Sequence, residues 1–122
     1  MQFTRDPGTE PNAIVACSPG EIRLRDRAYT ASVIITRTTV IEGWRPAAVD
    51  KLSIDDFGEL LALSPEVVLL GTGWRQRMPA PALYAAFASR RVGLEVMDNG
   101  AACRTYNLLL AEFREVAVAL ML

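Results

Sequence analysis

The sequence contains no histidine. That absence excludes Cys-His and Ser-His-Asp catalysis and every metal site that needs an imidazole. Lysine is nearly missing as well: Lys51 stands alone among thirteen basic residues, and the rest are arginine. Fourteen acids balance them to a net charge of −1, so no global field draws the chain towards nucleic acid or an anionic membrane surface. The arginine bias reads as genome base composition, since arginine-rich nucleic-acid binders carry a basic excess. Cysteine is sparse. Cys17 and Cys103 lie far apart without a CxxC or other metal-ligand spacing, which predicts buried, reduced thiols in a cytoplasmic protein. No apolar run approaches the roughly 20 residues of a membrane span. The opening MQFTRDPGTEPN has no apolar stretch and reads as neither a secretory signal nor a transit peptide.

What is present is enough apolar residue for a core. The chain has 122 residues, 51% of them hydrophobic, the size of one ordinary domain that needs no disulfide or metal staple. Pro7, Gly8 and Pro11 among polar neighbours suggest a flexible arm over residues 1–12, with one domain over 13–122. AIVACSPGEIRLRDRAYTASVIITRTTV is rich in β-branched residues and broken by turn residues, the signature of an N-terminal hairpin or meander. Turns are expected at Ser18-Pro19-Gly20 and near Arg25-Asp26-Arg27. Ile22 and Leu24 alternate with Arg23 and Arg25, which gives that strand a buried face and a wet one.

After Gly43-Trp44-Arg45-Pro46 the period lengthens. Ser53 followed by Asp55, Asp56, Phe57, Leu60 and Leu61 predicts an N-capped helix ended by Ser64-Pro65. EVVLLGTG is a short continuous apolar run, as in a strand of a parallel sheet buried on both faces. Pro79 and Pro81 introduce a second helix, ALYAAFASRR. Gly93 begins another strand, GLEVM. This βαβ pattern brings Gly71 and Asp98 side by side. Asp98 or Asn99 can cap a third helix from about Gly100 to Glu112, with Ala102, Tyr106, Leu109 and Phe113 as its apolar stripe and Cys103 and Leu110 on its border. REVAVALML reads as a final strand, with a continued helix as the alternative.

Chemistry in such a sheet belongs beyond the carboxyl ends of its parallel strands, where GTGWRQR and MDNGAACR should border one crevice. Gly71 and Gly73 would let backbone amides approach a ligand, while Arg75, Arg77 and Arg104 would supply charge for a small anion or carboxylate. GTG is neither GxGxxG nor a Walker A loop, and simple turn-making is the commoner use of such glycines. Cys103 as a nucleophile would need a base and a lowered pKa; as a small core residue on the rim of the stripe it needs neither. Asp98 can serve as a base, a metal ligand or a helix cap. No paired acids of the glycosidase kind are discernible. Trp44 reads as core cover, whereas Trp74 suits a lid or an exposed anchor equally.

EVVLLGTG, the paired prolines and GLEVMDNGAACRTYNLLLAEFREVAVAL together resemble a small α/β family. Its members include mitochondrial complex I assembly factor three and the adipogenesis-associated Mth-type domain protein, with many bacterial members. The likeness runs from about Cys17 to the C-terminus. It implies a three-layer α/β fold around a mixed five-stranded sheet whose last strand runs antiparallel to the others. The acid–threonine pair common in the family finds Asp98 followed by Asn99 here. The resemblance implies a partner-binding protein and not an enzyme, and supplies no catalytic residues. Gly71, Gly73, Asp98, Cys103, Arg104, Tyr106 and Asn107 match signature positions, and with Thr72, Arg75 and Asn99 they are the expected lining of the crevice.

The leading expectation is therefore a non-enzymatic binding or assembly module, cytoplasmic and bacterial, with a protein partner and no cofactor. The alternative is a small-molecule binder or weak enzyme that uses the crevice for an anion or carboxylate. Association of copies through an edge strand of the hairpin region is a third possibility, with monomer and homo-oligomer both open.

Overall fold

The computed structural model describes residues 10–46 and 48–122. The expected N-terminal arm falls mostly outside that range. Its last residues, however, are tied to the domain. Glu10 is 3% exposed and pairs with Arg37 at 2.9 Å, and the Asn12 carboxamide donates to the Thr36 carbonyl.

A three-stranded antiparallel sheet comes first: β1 (Ala16–Ser18), β2 (Glu21–Arg23) and β3 (Ala28–Tyr29). Pro19-Gly20 makes the first turn, with Gly20 at φ +76°. Ile22 and Leu24 are buried while Arg23 and Arg25 are exposed, as their alternation requires. Next come β4 (Val33–Thr36) and β5 (Val40–Ile41), then two 3₁₀ turns, Val49–Lys51 and Ile54–Phe57, and α1 (Gly58–Leu61). The helix expected after Ser53 is thus one α-turn behind a 3₁₀ turn. The Ser53 amide donates to the Asp56 carboxylate at 2.9 Å, and Gly58, a weak helix former, follows at once. The remainder is β6 (Val67–Gly71), α2 (Pro81–Ser89), β7 (Gly93–Met97), α3 (Asn99–Ala111) and β8 (Val116–Leu120).

The main sheet has the order β5-β4-β8-β6-β7. β8 lies at its centre, parallel to β6 and antiparallel to β4. This corrects the expectation of a last strand antiparallel to all the others. A single-helix crossover returns the chain to the same end of the sheet, so β7, α3 and β8 must preserve direction. The strand that opposes its neighbours is β4.

Each central strand serves two cores. Val67 and Leu69 of β6 and Val116, Val118 and Leu120 of β8 face α3 and the small sheet. Val68, Leu70, Ala117 and Ala119 face α2 and the 3₁₀ turns. There Phe57 packs edge-on to Phe87 at 5.1 Å and tilted against Trp44 at 5.7 Å. Trp44 is core cover, with its indole N–H donating to the Asp56 carbonyl. Three layers result: α3 with the small sheet, the five-stranded sheet, and α1 with α2.

The buried face of α3 differs from the expected stripe. Ala102, Cys103, Tyr106 and Leu110 are buried, Leu109 is half-buried, and Phe113 is 56% exposed. The helix stops at Ala111, and Phe113 takes a left-handed φ of 59°, which turns its ring off the stripe. Arg37 takes over at this end. Its guanidinium donates to the carbonyls of Leu110 and Arg114 and lies 5.9 Å from the Phe113 ring centre, tying the last turn of α3 to the turn that follows it.

Candidate functional site

Gly71, Met97 and Leu120 end three parallel strands in register, so the loops that follow share one end of the sheet. Gly71 and Asp98 do become neighbours, and the Thr72 amide donates to the Met97 carbonyl at 3.0 Å. The space between them is filled. Asn99, 1% exposed, turns its side chain into it, where it accepts from the Gly73 amide at 3.1 Å and donates to the Met121 carbonyl at 3.0 Å. Its own amide donates to the Gly73 carbonyl at 2.7 Å. A Cβ at Gly71 would collide with the Asn99 Oδ1, so the missing side chain at 71 is what admits the carboxamide at 99. Gly73 has φ +96°, a conformation that favours glycine. The Thr72 hydroxyl donates to the Arg75 carbonyl at 2.6 Å and accepts from the Arg77 amide. Asp98 caps α3, accepting from the Ala101 amide at 2.8 Å.

The other sequence candidates fall into distinct surroundings. Tyr106 is fully buried and its hydroxyl donates to the Asn12 carbonyl; burial raises its pKa beyond the ordinary phenol range. Asn107 holds Ile14 twice, accepting from its amide at 2.9 Å and donating to its carbonyl at 2.8 Å. Cys103 is 4% exposed. Burial, and then the neighbouring Cys17 thiol, push its pKa well above that of an ordinary cysteine, the reverse of what a nucleophile needs. Arg75 and Arg104 are exposed.

Two concave surfaces flank the Asn99 plug. One, of about 350 Å³, runs between β1 and α3, bordered by Val15, Cys17, Trp74, Gly100, Cys103 and Arg104. Trp74 is 46% exposed and Val15 60%, which gives this groove an apolar rim beside the Arg104 cation. The other, of about 530 Å³, lies at the carboxyl ends of β6 and β8 among Asp50, Thr72, Arg77, Met78 and Met121. Val15, Cys17, Asp50 and Met121 carry no sequence signal as site residues, because remote packing brings them there, whereas Met78 directly follows the GTGWRQR loop. Among the described residues no group of three or more Cys, Asp or Glu side chains is placed to hold a metal ion, and no helix is long and apolar enough to cross a membrane.

A family model described as protein of unknown function (DUF498/DUF598) matches residues 14–121. The chain is 32% identical over 100 residues to the "13 kDa major membrane protein" of Francisella tularensis subsp. holarctica, covering 80% of each. It is 31% identical over 123 residues to NADH dehydrogenase (ubiquinone) 1 alpha subcomplex assembly factor 3 of Danio rerio, covering 99% of this chain and 68% of that one; it spans 52% of the mouse factor's length. Among solved structures, the Mth938-like domain of Bordetella pertussis superposes with a TM-score of 0.78 at 27% identity, covering 99% of this chain and 92% of that domain.

Proposed function

The chain belongs to the DUF498/DUF598 family of proteins of unknown function, and from that premise we propose that it is a non-enzymatic binding module of the assembly-factor type, acting in the bacterial cytoplasm on a protein partner. The observation that carries this reading is the use already made of the polar groups in the crevice. Asn99, Gly73 and Thr72 spend their hydrogen bonds on one another and on the backbone, and Asp98 is engaged as the cap of α3. The Cys103 thiol is buried and resists ionisation. What remains outward is the groove rimmed by Trp74, Val15 and Arg104, an aromatic and an arginine of the kind that anchor protein contacts. The likeness to assembly factor 3 supports the same reading.

The test is affinity capture from the native organism with wild type, Trp74→Ala and Arg104→Glu. One partner held by wild type and lost with either variant supports the proposal. Steady turnover of a metabolite, abolished by Asp98→Ala in a folded protein, would overturn it.

The cavity of about 530 Å³ beside Arg77 favours a second reading, a small anionic or carboxylate ligand at the strand ends. Calorimetric titration with phosphate and acetate, with Arg77→Ala as control, separates the two.

A further inference from the structure

Cys17 and Cys103 are the two cysteines of the chain, and the fold brings them together. Cys17 sits at the centre of β1, partly exposed, and Cys103 in the second turn of α3, buried. Both line the groove beside Trp74, and Cys17 is the side-chain neighbour that, after burial, raises the pKa of Cys103. The alignment has a cause. Asn107 fixes Ile14 through both of its backbone groups. Cys103 lies one turn before Asn107 on the same helical face, and Cys17 follows Ile14 by three residues. The anchor holds this stretch of chain against α3, where both cysteines border one groove.

We propose that Cys17 and Cys103 form a reversible intrachain disulfide by exchange with a low-molecular-weight disulfide such as glutathione disulfide. Cys17, which opens onto the groove, is the entry thiol. Its thiolate attacks one sulfur of the oxidant, the oxidant's S–S bond breaks, and one glutathione leaves as a thiolate that takes up the proton Cys17 released. Cys103 then gives its proton to water and attacks Cys17 Sγ; the second glutathione leaves and is protonated in turn. Two protein thiols are oxidised and one glutathione disulfide is reduced to two glutathione molecules. Burial and the neighbouring Cys17 keep Cys103 protonated in the reduced chain, so the more exposed Cys17 reacts first; once Cys17 is in the mixed disulfide it no longer opposes ionisation of Cys103, which the Arg104 cation favours. The sulfur atoms must close to about 2.05 Å. β1, a three-residue strand at the edge of its sheet, is the element that can move to allow it. The bond would join the small sheet covalently to α3, whatever the groove binds.

The experiment incubates the full chain with glutathione disulfide and follows intact mass and alkylatable thiols after denaturation. Wild type should lose both thiols, carry no glutathione, remain a single chain on a non-reducing gel and recover both thiols with dithiothreitol. Cys103→Ser should stop at a stable glutathione adduct, and Cys17→Ser should react at least about tenfold more slowly. The thermal midpoint of oxidised wild type should rise by about 5 °C, which an adduct on one thiol would not produce. Accumulation of the glutathione adduct on wild type with Cys103 still alkylatable, chain-to-chain disulfides, or no reaction would each overturn the proposal. The wild-type result decides it even if a serine variant fails to fold.

Discussion

Two glycines near the strand ends have opposite tolerances for a methyl group. At Gly71 an added Cβ would meet Asn99 Oδ1 and come within 2.8 Å of Leu120 Cδ2. Asn99 cannot swing aside without abandoning Gly73 and Met121. Gly71→Ala should therefore cost about 1–3 kcal/mol, the usual penalty of overpacking. At Gly100 the same methyl would lie 3.4 Å from the Arg104 guanidinium, 3.4 Å from the Asp98 Oδ1 and 3.7 Å from the Trp74 ring, all ordinary contact distances. Gly100→Ala should be neutral or stabilising by up to about 0.5 kcal/mol, because alanine is the better helix former. Urea unfolding at constant m-value measures both. Asn99→Asp is a sharper probe. It keeps an acceptor for the Gly73 amide but loses the donor to Met121 and buries a charge, so it should cost about 2–4 kcal/mol at neutral pH. Part of that should return at low pH, where the protonated carboxyl can donate again.

At the scale of elements, one side chain of α3 takes the role of a strand: Asn107 pairs both backbone groups of Ile14, two residues before β1. Asn107→Leu should leave the Ile14 amide and carbonyl unpaired, cost about 2 kcal/mol and speed hydrogen exchange at Ile14 while leaving β6 protected. The same scale shows which parts of the fold local pattern makes legible. β6, α2 and β7 are announced by a continuous apolar run, by Pro81 and by Gly93, and the structure has them where the pattern puts them. Asp98 is a cap in the sequence and in the structure. The end of α3 is not legible, because Phe113 fits the helical period and only the left-handed turn removes it. The direction of β8 follows from its connection, but its place between β4 and β6 depends on pairings remote in the chain. Asn99 is read locally as a second possible cap. Its use as a plug depends on the vacancy at Gly71, a complementarity that no window of sequence contains. Cys17 and Asn107 likewise gain their partners only once β1 lies on α3.

At the scale of the molecule, two buried acids set a limit on the alkaline side. Burial raises the pKa of Cys103 and of Tyr106 in the folded chain, whereas in the unfolded chain they titrate near about 8.5 and 10. Above those values the unfolded state releases protons that the native state retains, so the stability gained from keeping both groups neutral is intact below about pH 8 and declines as pH rises. A series of unfolding curves from pH 7 to 10.5 should show the decline, and Cys103→Ala should remove the part that begins near pH 8.5.

The central position of β8 also bears on how the chain is made. Until synthesis has passed Leu120, the strands made earlier, β4 with β5 and β6 with β7, have no shared partner, and each pair carries an open edge where β8 will lie. The strands made earlier would therefore wait as two separate pairs with exposed edges, and the fold would close in a single late step when β8 inserts between them.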